Sequence, residues 1–163
     1  MKDVDVPLIA DRSERRARWR SWWRVLSRRS GDTAVSVGAI VGVIARFLLS
    51  DWVKRHYAGS FPLGTLIINL AGCFLIGIAQ TFFLELISAR RELQLLLVVG
   101  LLGGFTTFST FSVETVRLVK AGQLIAALGY QGLSLSGGIA GVLLGIMAAH
   151  VIHRAVLGSR RRP

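Results

Sequence analysis

Between Gly103 and Glu114 the chain reads Gly103–Gly104–Phe105–Thr106–Thr107–Phe108–Ser109–Thr110–Phe111–Ser112–Val113–Glu114. Adjacent glycines followed by a dense block of hydroxyls and phenyl rings are unusual in a stretch otherwise built from Leu and Val. Glycine and β-branched threonine both weaken an α-helix, so an interruption in the middle of this segment is expected. Carbonyls freed by such an interruption can bind a cation, provided the backbone there is buried in protein or lines a cavity. Phe105, Phe108 and Phe111 recur every third residue and share one helical face. A phenyl ring is negative on its face and positive at its edge. Ring edges turned toward a narrow path can therefore hold a small anion without any full positive charge.

Other residues add to this chemistry from elsewhere in the chain. Asn69 is an amide deep in an apolar run and can donate two hydrogen bonds. Arg46 is a permanent positive charge, expected near a helix end, on the same segment as Gly38 and Gly42. Tyr130 and Ser134 lie four residues apart on one helical face, with Ser136 close by. Each has an ordinary explanation when taken singly. A Ser or Thr back-bonds to its own helix, Phe at every third position packs, Asn bridges two helices, and Arg snorkels to headgroups. Together they describe an electropositive track poor in carboxylates. Cys73 reads as a small apolar packing residue, and as the one cysteine of the chain it rules out an intrachain disulfide or a cysteine cluster. His56, His150 and His153 read as interfacial residues with no third ligand for a metal.

The elements that must position these residues are four apolar runs, covering about Thr33 to Val53, Leu63 to Ile87, Leu93 to Val119 and Leu124 to Ile152. Each can cross a hydrocarbon layer about 30 Å thick, which takes about 20 helical residues. Inside that layer only helices satisfy so much backbone economically. The expected fold class is therefore an all-α membrane protein with four transmembrane helices, the third broken at its centre. The chain has 163 residues, 52% of them hydrophobic, and 18 glycines that suit close helix packing. Mean hydropathy is +0.55 and the sequence pI is near 11.5, a pairing rare in a soluble domain.

The net charge of +11 is gathered in the flanks. Residues 1–31 form a basic Trp/Arg-rich extension with Trp19, Trp22 and Trp23 among its arginines, either a helix lying on the membrane surface or a disordered tail. Residues 154–163 form a basic C-terminal tail. With four helices, both termini share a side with Arg90 and Arg91, and that side holds 15 of the 20 basic residues. The positive-inside rule places both termini in the cytoplasm of a cell-membrane protein. A charge so distributed suits anionic headgroups, and no nucleic-acid partner is expected.

Four stretches resemble the fluoride channels called CrcB or Fluc. They are the Gly103–Phe111 block with Glu114; Phe61–Pro62–x–Gly64–Thr65–Leu66–x–x–Asn69; Gly38–x–x–x–Gly42–x–x–x–Arg46; and Tyr130–x–x–x–Ser134–x–x–x–Gly138. They fall in the family's order and touch all four runs, so residues 32–153 are expected to be a four-helix channel domain. The resemblance implies an antiparallel, dual-topology-type dimer with two fluoride pathways and passive efflux that lowers cytoplasmic fluoride. It implies a structural sodium ion at the dimer centre, held by the backbone carbonyls of Gly103 and Thr106. It makes Phe108 and Phe111 ring-edge fluoride ligands and Asn69 a donor to the ion. Ser109, Thr110, Tyr130 and Ser134 would line a polar track, Arg46 would stand at a vestibule, and Glu114 would lie farther along the third helix. The long basic N-terminus departs from the family pattern. The charge asymmetry argues for one orientation, so the partner is either a second copy or an oppositely oriented homologue.

Three other functions fit less well. A small multidrug exporter needs an acidic residue in its first span, where this chain carries Arg46. A membrane enzyme needs an intramembrane His/carboxylate pair or a nucleophile with a positioned base, and none is present, so no catalytic residue is assigned. A DNA-linked role for the basic tail lacks a recognisable fold.

Overall fold

The computed structural model describes residues 29–83 and 91–159. The N-terminal extension up to Arg28, Arg90, and Arg160 to Arg162 lie outside the described residues, so the expected surface helix or disordered tail does too. All regular structure among the described residues is helical. Helix α1 spans Arg29–His56 and α2 spans Leu63–Thr81. The third span, Arg91–Lys120, is assembled from several pieces. It opens with α3 (Arg91–Gln94), widens into a π-helix over Leu95–Leu102, and continues as α4 (Gly103–Phe105) and α5 (Phe108–Lys120). Helix α6 runs over Leu124–Ser159. Four stretches are long and apolar enough to cross a membrane: Gly31–His56, Leu63–Thr81, Arg91–Lys120 and Leu124–Ala155.

Side-chain placement follows from a lipid surround. Only Tyr130, Ile68 and Thr81 are fully buried among the large side chains, whereas Ile125 is 88% exposed and Phe47 67%. A protein surrounded by water would bury such residues, but one surrounded by acyl chains gains nothing by doing so. What joins the helices is close backbone approach. On α1, a Cβ at Gly38 or Gly42 would strike the carbonyl of Leu96 or Leu101, and Gly100 and Gly104 answer from the other side against Val35 and Ala39. Helices α2 and α6 meet in the same way, Gly77 against the Val142 carbonyl and Gly145 against that of Phe74. The fold is thus two glycine-mediated pairs, α1 with the third span and α2 with α6.

Element ends differ from the sequence expectation for identifiable reasons. Helix α1 continues past Val53 to His56, its last turn basic at Lys54 and Arg55, which complements the C-terminal end of the helix dipole. Helix α6 outlasts its apolar run by seven residues, because a helix keeps its hydrogen bonds after leaving the hydrocarbon, and Arg154 there is exposed. The α5–α6 connection is a Schellman turn. Gln123 N–H donates to Leu118 C=O at 2.9 Å and Gly122 N–H to Val119 C=O at 3.0 Å. Gly122 takes φ +74°, the left-handed conformation that glycine adopts at no steric cost.

Candidate functional site

The site begins with two residues that are not helical. Helix α4 ends at Phe105, Thr106 (φ −79°, ψ 158°) and Thr107 (φ −150°, ψ 119°) are extended, and α5 starts at Phe108. In an unbroken helix Thr107 N–H would donate to the Gly103 carbonyl and Thr110 N–H to the Thr106 carbonyl. Neither bond forms. Thr107 N–H donates to Asn69 Oδ1 at 2.8 Å, and Thr110 N–H donates to Thr107 Oγ1 at 3.3 Å. The carbonyls of Gly103 and Thr106 are thereby released from the helical ladder.

Two side chains hold this geometry. Asn69, from α2, donates Nδ2–H to Thr107 C=O at 3.0 Å while accepting from Thr107 N–H, so one amide satisfies both backbone groups of the extended residue. The second Nδ2–H of the amide remains for another acceptor. Thr107 in turn is the N-cap of α5, and its hydroxyl lies 3.0 Å from Thr110 Oγ1 and 3.3 Å from Ser109 Oγ. Thr107 carried no assigned role in the sequence reading. The available signal was a threonine placed just ahead of a helix that resumes after a break.

A cavity of about 260 Å³ opens beside the interruption, lined by Asn69, Cys73, Thr107, Phe108, Phe111 and Ser134 among others. It contains no carboxylate. Ser134 Oγ is buried there with no hydrogen-bond partner in the chain. Phe111 is 8% exposed and Phe108 74%. A row of rings leads away from this cavity: Phe108 to Phe111 at 5.5 Å between centroids, Phe111 to Tyr130 at 5.0 Å, and Tyr130 edge-on to Phe61 at 5.6 Å. Phe61 lines a second cavity of about 330 Å³, whose wall includes Lys54, Ser60, Glu114, Arg117 and Gln123. The aromatic row therefore joins a neutral cavity at the interruption to an outer one carrying two cations.

Three residues fall elsewhere than the sequence indicated. Arg46 is not near a helix end, because α1 continues ten residues beyond it, about 15 Å along the axis. Its Nη1–H donates to the Thr106 carbonyl at 3.3 Å, at the interruption itself and not at a vestibule. Tyr130 has no exposed surface, and its hydroxyl donates to Glu114 Oε2 at 2.9 Å. It packs behind Phe111 and reaches the outer cavity only through Glu114. Ser109 and Thr110 join the network through Thr107, yet both are exposed at the edge of the chain, as is Gly103. Asn69, Phe108, Phe111 and Ser134 are brought together in one cavity.

No group of three or more His, Cys, Asp or Glu side chains able to hold a metal occurs among the described residues. A cation at this site would have to bind neutral oxygens. The released carbonyls of Gly103 and Thr106 are hard donors suited to an alkali cation. One chain offers too few of them to replace a hydration shell.

The comparisons agree with this geometry. The family model described as CrcB-like protein, Camphor Resistance (CrcB), matches residues 33–146, a range holding all four motifs and the whole interruption. A Pseudomonas putida protein named fluoride-specific ion channel FluC is 47% identical over 113 residues, covering 69% of this chain and 91% of the relative. A relative from Moorella thermoacetica, named fluoride-specific ion channel FluC 1, is 44% identical over 117 residues, covering 72% and 84%. One from a Roseiflexus species, also named fluoride-specific ion channel FluC, is 45% identical over 119 residues, covering 73% and 96%. With its four membrane-spanning helices, this chain belongs to the CrcB-like protein family.

Proposed function

We propose that the chain is one subunit of a fluoride-selective channel that lowers cytoplasmic fluoride by passive efflux across the cell membrane. The observation that carries this reading is the Asn69–Thr107 pair. It fixes an amide with a spare N–H in a neutral cavity beside Phe108 and Phe111. Fluoride is a small, strongly hydrated anion and passes only where donors replace its water. The spare Asn69 N–H, the N–H groups of Phe108 and Ser109 at the start of α5, and phenyl edges are such donors. None carries a full charge, so the ion is held without being trapped.

Lys54 and Arg117 in the outer cavity raise the local anion concentration, and Glu114, engaged by Tyr130, stands between that cavity and the aromatic row. Ser109, Thr110 and Ser134 supply further hydroxyls along the track. Direction comes from thermodynamics. Hydrogen fluoride crosses lipid as a neutral acid and dissociates in the more alkaline cytoplasm, and the anion then leaves down its electrochemical gradient.

The functional unit in this reading is an antiparallel dimer whose two interruptions face each other. A cavity wall and track ending in exposed residues on one chain support it, as does the open space around Gly103, where a Cβ would meet nothing within 4 Å. The carbonyls of Gly103 and Thr106, doubled by a partner, would hold a structural sodium ion that supplies fixed positive charge between the pathways. The partner is a second copy or an oppositely oriented homologue.

Fluoride efflux from liposomes tests the reading. The wild-type protein should release fluoride, and Asn69→Ala should lower the rate at least about tenfold, the equivalent of one 1.4 kcal/mol interaction. Wild-type rates in Asn69→Ala would remove Asn69 from the pathway.

A further inference from the structure

Arg46 is a charge in an unusual place. It sits well inside a membrane span, half-buried, and is permanently protonated. No carboxylate lies within ion-pair distance of it among the described residues, where the described ion pair is Asp51 with Arg55 and Glu114 is bonded to Tyr130. Its described partner is the Thr106 carbonyl, one of those released by the interruption. Intramembrane cations normally pair with a carboxylate or face water, and this one pairs with the broken backbone.

We propose that Arg46 supplies the interruption with a positive charge of its own and shares the Thr106 carbonyl with the sodium ion, each weakening the other's hold; the inference rests on the sodium site proposed above. A carbonyl oxygen has two lone pairs, so geometry alone does not forbid both partners. Charge does, because two cations on one oxygen repel strongly where water is scarce. When sodium leaves, the guanidinium keeps the carbonyl satisfied and the extended residues in place. When sodium binds, Arg46 yields part of its hydrogen bond. Arg46 is therefore a positioning residue, acting on the pathway through the backbone that Asn69 also holds. The fixed charge lets the interruption persist at low sodium, and it lowers sodium affinity in return.

The test is the sodium dependence of thermal unfolding of the purified full-length protein, with N-methylglucamine replacing sodium, for wild type, Arg46→Gln and Arg46→Lys. The wild type should show a weak sodium-dependent rise in melting temperature. Arg46→Gln should show a larger rise, reaching its midpoint at a sodium concentration at least tenfold lower. Arg46→Lys, which keeps the charge, should stay within threefold of the wild-type midpoint. An Arg46→Gln protein monodisperse only in sodium also supports the proposal. The same midpoint and the same rise in Arg46→Gln as in wild type would overturn it. So would an Arg46→Gln protein that fails to fold at every sodium concentration, since sodium then cannot stand in for the guanidinium. Fluoride efflux on the same preparations separates this inference from the channel reading. A sodium midpoint shift without fluoride efflux keeps the role of Arg46 and removes fluoride. Fluoride efflux with no sodium response in either protein removes the proposal and leaves the channel.

Discussion

Asn69 and Thr107 form a reciprocal pair in which a side chain takes over what a helix would have done. If Asn69 is replaced by Ala, Thr107 loses partners for both its N–H and its C=O. Each buried group left unsatisfied costs about 1–3 kcal/mol. Asn69→Ala should therefore lower the melting temperature as well as the flux. Asn69→Asp keeps an acceptor for the Thr107 N–H but removes the donors and adds a negative charge. Its stability should exceed that of Asn69→Ala while its fluoride flux stays as low, a separation that melting curves and efflux read together. Tyr130→Phe leaves Glu114 Oε2 without its described donor. It should reduce efflux while leaving the packing of Phe61, Phe111 and the ring at position 130 intact. These roles were unevenly legible in the sequence. Asn69 stood out as an amide in an apolar run, but its partner lies 38 residues away and is set by tertiary packing. Arg46 was visible as a charge, yet its partner is a backbone carbonyl, which has no sequence signature of its own.

At the scale of elements, two kinds of glycine have different jobs. Gly42 and Gly145 sit where helix backbones touch, the first against Leu101 of the third span and the second against Phe74 of α2. Gly42→Leu or Gly145→Leu must separate a helix pair and should abolish the monodisperse peak in size-exclusion chromatography. Gly122→Ala meets no neighbour but must adopt φ +74°, so it should cost only about 1 kcal/mol and leave the peak in place. The four spans were readable because hydropathy reports the solvent around a helix directly. The extent of the third span was harder. Its Leu95–Leu102 stretch is apolar throughout and winds as a π-helix, which the Leu and Val content does not distinguish from an α-helix. Glycines and threonines pointed to weak helicity at 103–107, while the position at which the backbone turns extended is fixed by Asn69 reaching across from α2.

For the whole molecule, the question is how chains assemble. The charge sits in the flanks, with nine basic residues before Thr33, and such asymmetry drives one orientation in the membrane. Both termini should be cytoplasmic, so tags at either end should resist protease added outside intact cells. An antiparallel dimer then needs a partner inserted the other way. Two separately tagged subunits, expressed alone and together, distinguish the possibilities: efflux from this chain alone means a homodimer suffices, and efflux only after co-expression means a mixed pair. The most direct measurement is anion efflux from liposomes carrying the assembled channel, loaded with fluoride or chloride, comparing wild type with Phe108→Ala and Phe111→Ala. Rapid fluoride release with no chloride release, lost at least about tenfold in both variants, is the predicted result. Equal release of the two halides, or full fluoride release from both variants, would contradict a fluoride path along these rings.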